Sequence, residues 1–278
     1  MGWLEDGIVQ FIANVYEGLF YNVQEIFDLA KLSPSGFNST LWQAVTDFNE
    51  LAVLPVSWSI LTLFLLLELA NLMKRSDAKG GLESIYWVSK IILKILIAKT
   101  CMDNMTTIIN ALFEISGQIV LNGESQLAIT EKTIDTNSIT DALEHEKIVS
   151  LLGYFLQAFL IQLCSSVCFI LAKIVIQLRF IEIYIFAAIA ALPFATLASQ
   201  EYSSIGKNYI KRMAALAIHA VFIIVVVYVY SVLLNGAIFN IEDGSVTSSM
   251  WDLVGYSILF VIALFQTGGW SKSLMQAN

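Results

Sequence analysis

Five polar side chains, Lys99, Asp103, Thr107, Asn110 and Glu114, recur at steps of four, four, three and four along an otherwise apolar segment. On an α-helix that spacing draws one stripe, because residues three and four apart share a face. An ammonium, two carboxylates, a hydroxyl and an amide in apolar surroundings serve one of two purposes. They hydrogen-bond across helices within or between subunits, or they line a hydrated passage. A second set is Arg179 and Glu182, three residues apart, with Pro193 downstream. Their spacing predicts an ion pair on one helix face. Glu182 is the only formally charged side chain between Phe180 and Ala198. A lone charge at membrane depth costs about 2.5 to 3.5 kcal/mol on insertion scales, so both residues are expected to face protein or water. Pro193 removes a backbone donor, which an apolar surround tolerates only where neighbouring groups or water satisfy the freed carbonyl.

Covalent chemistry finds no such footing. The chain has no GxxxxGK[ST] phosphate loop, no HExxH and no GxSxG. Asp103, Glu182 and His219 are single and distant from one another in sequence, so neither a carboxylate pair nor a nucleophile–base dyad is expected. Cys101, Cys164 and Cys168 all fall in apolar segments and read as small buried side chains. Cys164 and Cys168 share a helical face, but His145 and His219 are the only histidines and neither is near. The expectation is therefore no enzyme, no metal and no cofactor. Glu68 reads as structural, near a helix end where snorkelling or a base such as Arg75 limits its cost.

The elements that must carry these residues are membrane helices. The 278 residues are 57% hydrophobic and 14% charged, well above the apolar share of ordinary soluble domains, with several runs long enough to span a bilayer. The expected fold is all-α, a polytopic membrane bundle of five or six spans with an extracytoplasmic N-terminal amphipathic helix. A net charge of −8 with scattered Lys and Arg offers no dedicated nucleic-acid surface, so any contact with DNA would be local.

In chain order, residues 1 to 50 form an extracytoplasmic helical segment. Its apolar positions, Phe11, Val15, Leu19 and Ile26 among them, recur at helical steps opposite an acidic face. That apolar face packs on the protein's own bundle or docks a partner. Ser33 to Gly36 end the helix, and a short second one starts near Ser39. Residues 51 to 117 hold two crossings, the first from about Val53 to Met73 and followed by Lys74, Arg75 and Lys79. Residues 118 to 147 form an acidic outer loop, and 148 to 278 a C-terminal bundle whose central segment is broken at Pro193.

Charge bias fixes the count. If 148–172 and 180–198 both crossed, Lys207, Lys211 and Arg212 would lie outside and the acidic 235–252 loop inside, against the positive-inside rule. One crossing over 148–198 gives five spans, with the N-terminus outside and the C-terminus in the cytoplasm; the rival is a six-span bundle.

The run FIEIYIFAAIAALPFATLAS, residues 180 to 199, followed by Gly206 and Lys207, resembles the central signature of the TrbL-type inner-membrane subunits of conjugative type IV secretion systems, in the compact form found on mobile elements of monoderm bacteria. The likeness in architecture covers nearly the whole chain. It implies an oligomeric subunit of the cytoplasmic-membrane complex that moves DNA and protein between cells. It also implies work beside secretion ATPases, a coupling protein and extracytoplasmic components, with no covalent chemistry of its own. A self-contained secondary transporter is the alternative. It predicts two matching broken segments, and Pro193 marks one break without a counterpart in the first half.

Overall fold

The structure is a computed structural model, and it describes residues 3–76, 81–126, 148–242 and 246–277. Every element among them is helical: α1 (Trp3–Ala30), α2 (Pro34–Phe37), α3 (Ser39–Phe48), a π-turn (Asn49–Val53), α4 (Leu54–Ser76), α5 (Gly81–Asp103), α6 (Met105–Gln126), α7 (Ile148–Ala188), α8 (Ala191–Ala195), a 3-10 turn (Thr196–Ala198), α9 (Ser203–Glu242) and α10 (Val246–Leu274). Among the described residues, four stretches are long and apolar enough to cross a membrane: Ser39–Lys74, Val149–Ala188, Ser203–Ala237 and Met250–Leu274. The first runs through α3, the π-turn and α4 without a gap, so the short helix and the first crossing expected as separate pieces are one rod with a π-turn in it. Of the acidic 118–147 segment, residues up to Gln126 belong to α6, and 127–147 lie outside the described residues.

The chain divides into two compact units. One comprises Met1–Lys31, Ile119–Leu178 and Ala220–Gly269. Here α1 turns its apolar stripe inward. Val15 and Leu19 are buried, Ile26 is fully so, and Phe11 packs its ring 4.9 Å from that of Phe155 on α7. On the outer side Glu25 reaches Lys173 of α7 at 2.7 Å. Val15, Leu19 and Ile26 are thus covered by the chain itself, and Phe11 in part. Each buried aliphatic side chain of this size is worth about 1.5 to 3 kcal/mol, which self-packing of this face collects. Deeper in this unit, Tyr230 stacks on Phe260 at 4.4 Å and shares hydrogen bonds with Ser257 at 2.9 Å, which also meets Ser165 at 3.3 Å. Such hydroxyl contacts hold helices together where apolar burial alone gives little preference.

The other unit comprises Leu32–Gln118, Arg179–His219 and Trp270–Asn278. Ser33 caps α2 by accepting the Gly36 N–H at 3.1 Å, and Asn38 caps α3 by accepting that of Leu41 at 2.9 Å. Phe37 then stacks on Phe180 at 4.2 Å, and the Tyr184 hydroxyl donates to the Pro34 carbonyl at 2.8 Å, fixing the α2 turn against α7. The short α8 packs against α4 and α5.

Candidate functional site

The second unit centres on the place where α7 stops. A helix leaves its last four carbonyls without intrahelical donors, and in a membrane each must find a protein partner. The Phe186 carbonyl accepts from the Tyr209 hydroxyl of α9 at 3.0 Å. Those of Ala187 and Ala188 accept from one side chain, Asn49 Nδ2, at 3.1 and 2.9 Å. Asn49 opens the π-turn and is fully buried, while its neighbours Phe48 and Glu50 are exposed. A wider turn that aims one polar residue inward is a recurrent use of π geometry. The Ile189 carbonyl, which Pro193 cannot reach with an N–H, accepts from Leu192 at 3.2 Å instead.

Beyond Pro193 the chain turns back tightly. Thr196 Oγ1 donates to the Pro193 carbonyl at 2.7 Å and accepts from the Gly206 N–H at 3.0 Å. A Cβ on Gly206 would lie 2.6 Å from that same carbonyl oxygen and from the Leu197 side chain, so the first turns of α9 approach the break as closely as they do only because residue 206 has no side chain. Ser199 receives the N–H groups of Glu201 and Tyr202, and the Glu68 carboxylate of α4 accepts from the backbone N–H of Gln200.

Around this break the charges pair differently from their spacing. Glu182 meets Arg212 of α9 at 3.1 Å and Lys272 of α10 at 3.3 Å. Arg179 is buried and donates from Nε to the Leu216 carbonyl at 3.2 Å, with its guanidinium 5.1 Å above the Phe180 ring. The contacts described run from both residues to α9, where the three-residue step predicted a pair within α7. Arg212 and Leu216 stand one turn apart on α9, so α9 supplies a base to Glu182 and a carbonyl to Arg179. Glu182 thus carries two bases on one carboxylate, and the cluster has an excess of positive charge.

The polar stripe lies elsewhere in the same unit. Lys99 and Asp103 close α5, and Thr107, Asn110 and Glu114 continue on α6. The helix is interrupted only at Asn104, whose N–H still reaches the Thr100 carbonyl at 3.1 Å and whose carbonyl still accepts from Ile108 at 3.0 Å, so the stripe keeps its register. All five side chains are exposed, and Lys99 lies 5.4 Å above the Trp58 ring. On the opposite face Ala98, Met102, Met105, Ile109 and Phe113 are buried. Among the described residues, no hydrogen bond joins these five side chains to another helix of the chain.

Comparison with known families matches residues 19–191 to the TrbL/VirB6 plasmid conjugal transfer like proteins. The chain belongs to this family. The match covers more than half of its 278 residues, and no curated protein and no solved structure is significantly similar to it. As a TrbL/VirB6-like protein the chain is a membrane component of a conjugal transfer system, and the family is one of structural components rather than enzymes. Asn49, the stripe and Glu182 fall inside the matched region of this TrbL/VirB6-like chain, and Pro193 and Gly206 follow it.

Among the residues singled out by type and spacing, Arg179 and Glu182 both reach α9 and Pro193 meets the first turns of α9 at the break, all within the second unit, while the stripe stands on an exposed face. Asn49 and Tyr209 carry no local signal, since each acts on carbonyls far away in sequence. Among the described residues no three His, Cys, Asp or Glu side chains are grouped to hold a metal.

Proposed function

We propose that this TrbL/VirB6-like subunit is a channel or scaffold component of a conjugative type IV secretion apparatus, supporting passage of DNA or protein across the cytoplasmic membrane as a homo-oligomer beside secretion ATPases, a coupling protein and extracytoplasmic components. The observation that carries the reading is the exposed stripe Lys99, Asp103, Thr107, Asn110 and Glu114. Acyl chains cannot satisfy two carboxylates, an ammonium, an amide and a hydroxyl, so in a bilayer this face meets water or another copy of the chain. Both occupants belong to an assembly whose subunits surround a passage.

The continuity of α7 supports a five-crossing arrangement, made of the four long apolar stretches and α5–α6. The two apolar runs of 148–198 are joined in α7, 41 residues without a break, which is about 60 Å of helix at 1.5 Å per residue and enough to cross once and project. With α5–α6 as the crossing that turns its stripe away from lipid, the basic ends of α4 and α10 and the first turns of α9 share the cytoplasmic side.

The test uses single cysteines at Thr107 and Asn110 in a background lacking Cys101, Cys164 and Cys168. Oxidation in native membranes should give a dimer-sized or larger product from these positions and none from Ile115, exposed on the same helix but off the stripe. Asn110→Leu with Thr107→Val should lower transfer at least tenfold with unchanged accumulation. A variant that transfers like the parent and yields no cross-link removes both the interface and the passage from this face.

A further inference from the structure

Between the end of α4 and the start of α5 lies a recess of about 20 Å3 with charges of both signs around it. Glu68 and Asn71 line it from α4, Trp87, Lys90 and Lys94 from α5, and Gln200 from the segment before α9. All of these belong to one compact unit. By that measure a water needs about 10 to 15 Å3, so the floor accepts a single water-sized group and anything larger must extend to the mouth. Glu68 is 7% exposed and one of its oxygens already accepts from Gln200 N–H. No ion pair joins it to Lys90 or Lys94 among the described residues, although all three line the same recess. Lys90 instead sits 5.1 Å above the Trp87 ring and is exposed, and Lys94 is half-buried.

Glu68 and Asn71 lie in the last turns of the membrane-competent stretch Ser39–Lys74. Tryptophan and lysine at such an end belong to the headgroup level of a bilayer. The same two helices expose Leu66, Leu93 and Ile97, apolar surface that suits acyl chains. A buried carboxylate with spare acceptor capacity calls for a donor-bearing cation of water size, and two lysines at the mouth call for a phosphate.

We propose that this recess binds the headgroup of an aminophospholipid, its primary ammonium on Glu68 and its phosphate between Lys90 and Lys94. The proposal rests on the membrane placement of the chain and not on its role in transfer. Phosphatidylethanolamine offers a partner to each of Glu68, Lys90 and Lys94. Phosphatidylcholine has the same phosphate but a quaternary nitrogen with no N–H to donate. Phosphatidylglycerol has the phosphate and no cation.

Native mass spectrometry of the full chain, released from micelles holding equal amounts of these three lipids with identical acyl chains, tests it. Phosphatidylethanolamine should be retained about tenfold over the other two, the weight of one charge-assisted hydrogen bond. Lys90→Gln with Lys94→Gln should lower retention of all three. Glu68→Gln should erase the preference for ethanolamine over choline. Since Glu68 also holds Gln200, Asn71→Leu serves as a second variant of the lining that leaves that bond in place, and it should weaken the same preference. Lys207→Gln with Lys211→Gln, bases away from the recess, should change nothing. Equal retention of the three lipids by the parent overturns the proposal whatever the variants do. Displacement of bound lipid by soluble glycerophosphoethanolamine at equal concentration overturns the lipid assignment and leaves a small-molecule site.

Discussion

Glu182 faces two bases from two helices, and each of the three residues would be badly placed alone. Its side chain is about a third exposed, as are those of Arg212 and Lys272, so the cluster sits where water or a headgroup can still reach it. Arg179 is a different case. At 3% exposure it depends on protein acceptors, and the Leu216 carbonyl and the Phe180 ring provide for the guanidinium. A double-mutant cycle separates the two arrangements. Glu182→Gln and Arg212→Gln, singly and together, should show a coupling of about 0.5 to 3 kcal/mol in a detergent-melting assay, at the low end because exposure screens the pair. The corresponding cycle of Glu182 with Arg179 should give a coupling near zero. A large coupling in the second cycle and none in the first would restore the i,i+3 pair. The sequence places all of these residues in one polar neighbourhood, but spacing along one helix cannot reveal a partner on another. Arg212 and Lys272 stand 30 and 90 residues from Glu182.

At the scale of elements, periodicity was a good guide wherever a helix acts on its own neighbours. The amphipathic α1, the start of α3 and the break at Pro193 all follow from local pattern. The end of α7 does not, because what satisfies its carbonyls is an asparagine in a π-turn and a tyrosine on α9. A π-turn has no periodic signature of its own: Asn49 to Val53 reads as ordinary helix, and only the burial of Asn49 between exposed neighbours gives it away. The apolar face of α1 illustrates the opposite limit, since the pattern shows that the face must be covered and cannot say by what. Its coverage by the chain itself yields a clear expectation. Ile26→Asp places a carboxylate where no solvent reaches, at a cost of several kcal/mol, and should sharply lower the amount of protein that accumulates in membranes. Tyr21→Asp, on the outer face at 72% exposure, should leave accumulation within about twofold of the parent, in keeping with the roughly ±0.5 kcal/mol of ordinary surface changes. Normal accumulation of Ile26→Asp, assayed by immunoblot of washed membranes, would mean that this face is not part of the folded bundle.

For the whole molecule, the question is which ends of the helices share a side of the membrane. Basic residues gather after α4, in the first turns of α9 and at the end of α10, and acidic ones gather in residues 1–50, in 118–147 and around 242–252. The three basic groups fall on one side and the three acidic groups on the other only if α7 crosses once, and its continuity from Ile148 to Ala188 favours that count. The break after α7 then leads the chain back into α9 on the side from which α9 starts its own crossing, with Gly206 drawn against Pro193. Single cysteines report the arrangement directly. At Ser125 and Ser245, in a background without the native cysteines, an impermeant maleimide should label intact cells. At Ser76 and Ser204 it should label only after lysis. Ser204 is the decisive position, because it lies between the break and the body of α9 and is exposed in the folded chain, so failure to react from outside cannot be blamed on burial. Labelling of Ser204 on intact cells would put Lys207, Lys211 and Arg212 outside, require a second crossing between Ile148 and Ala198, and reject the five-crossing arrangement together with the cytoplasmic placement of the Glu182 cluster.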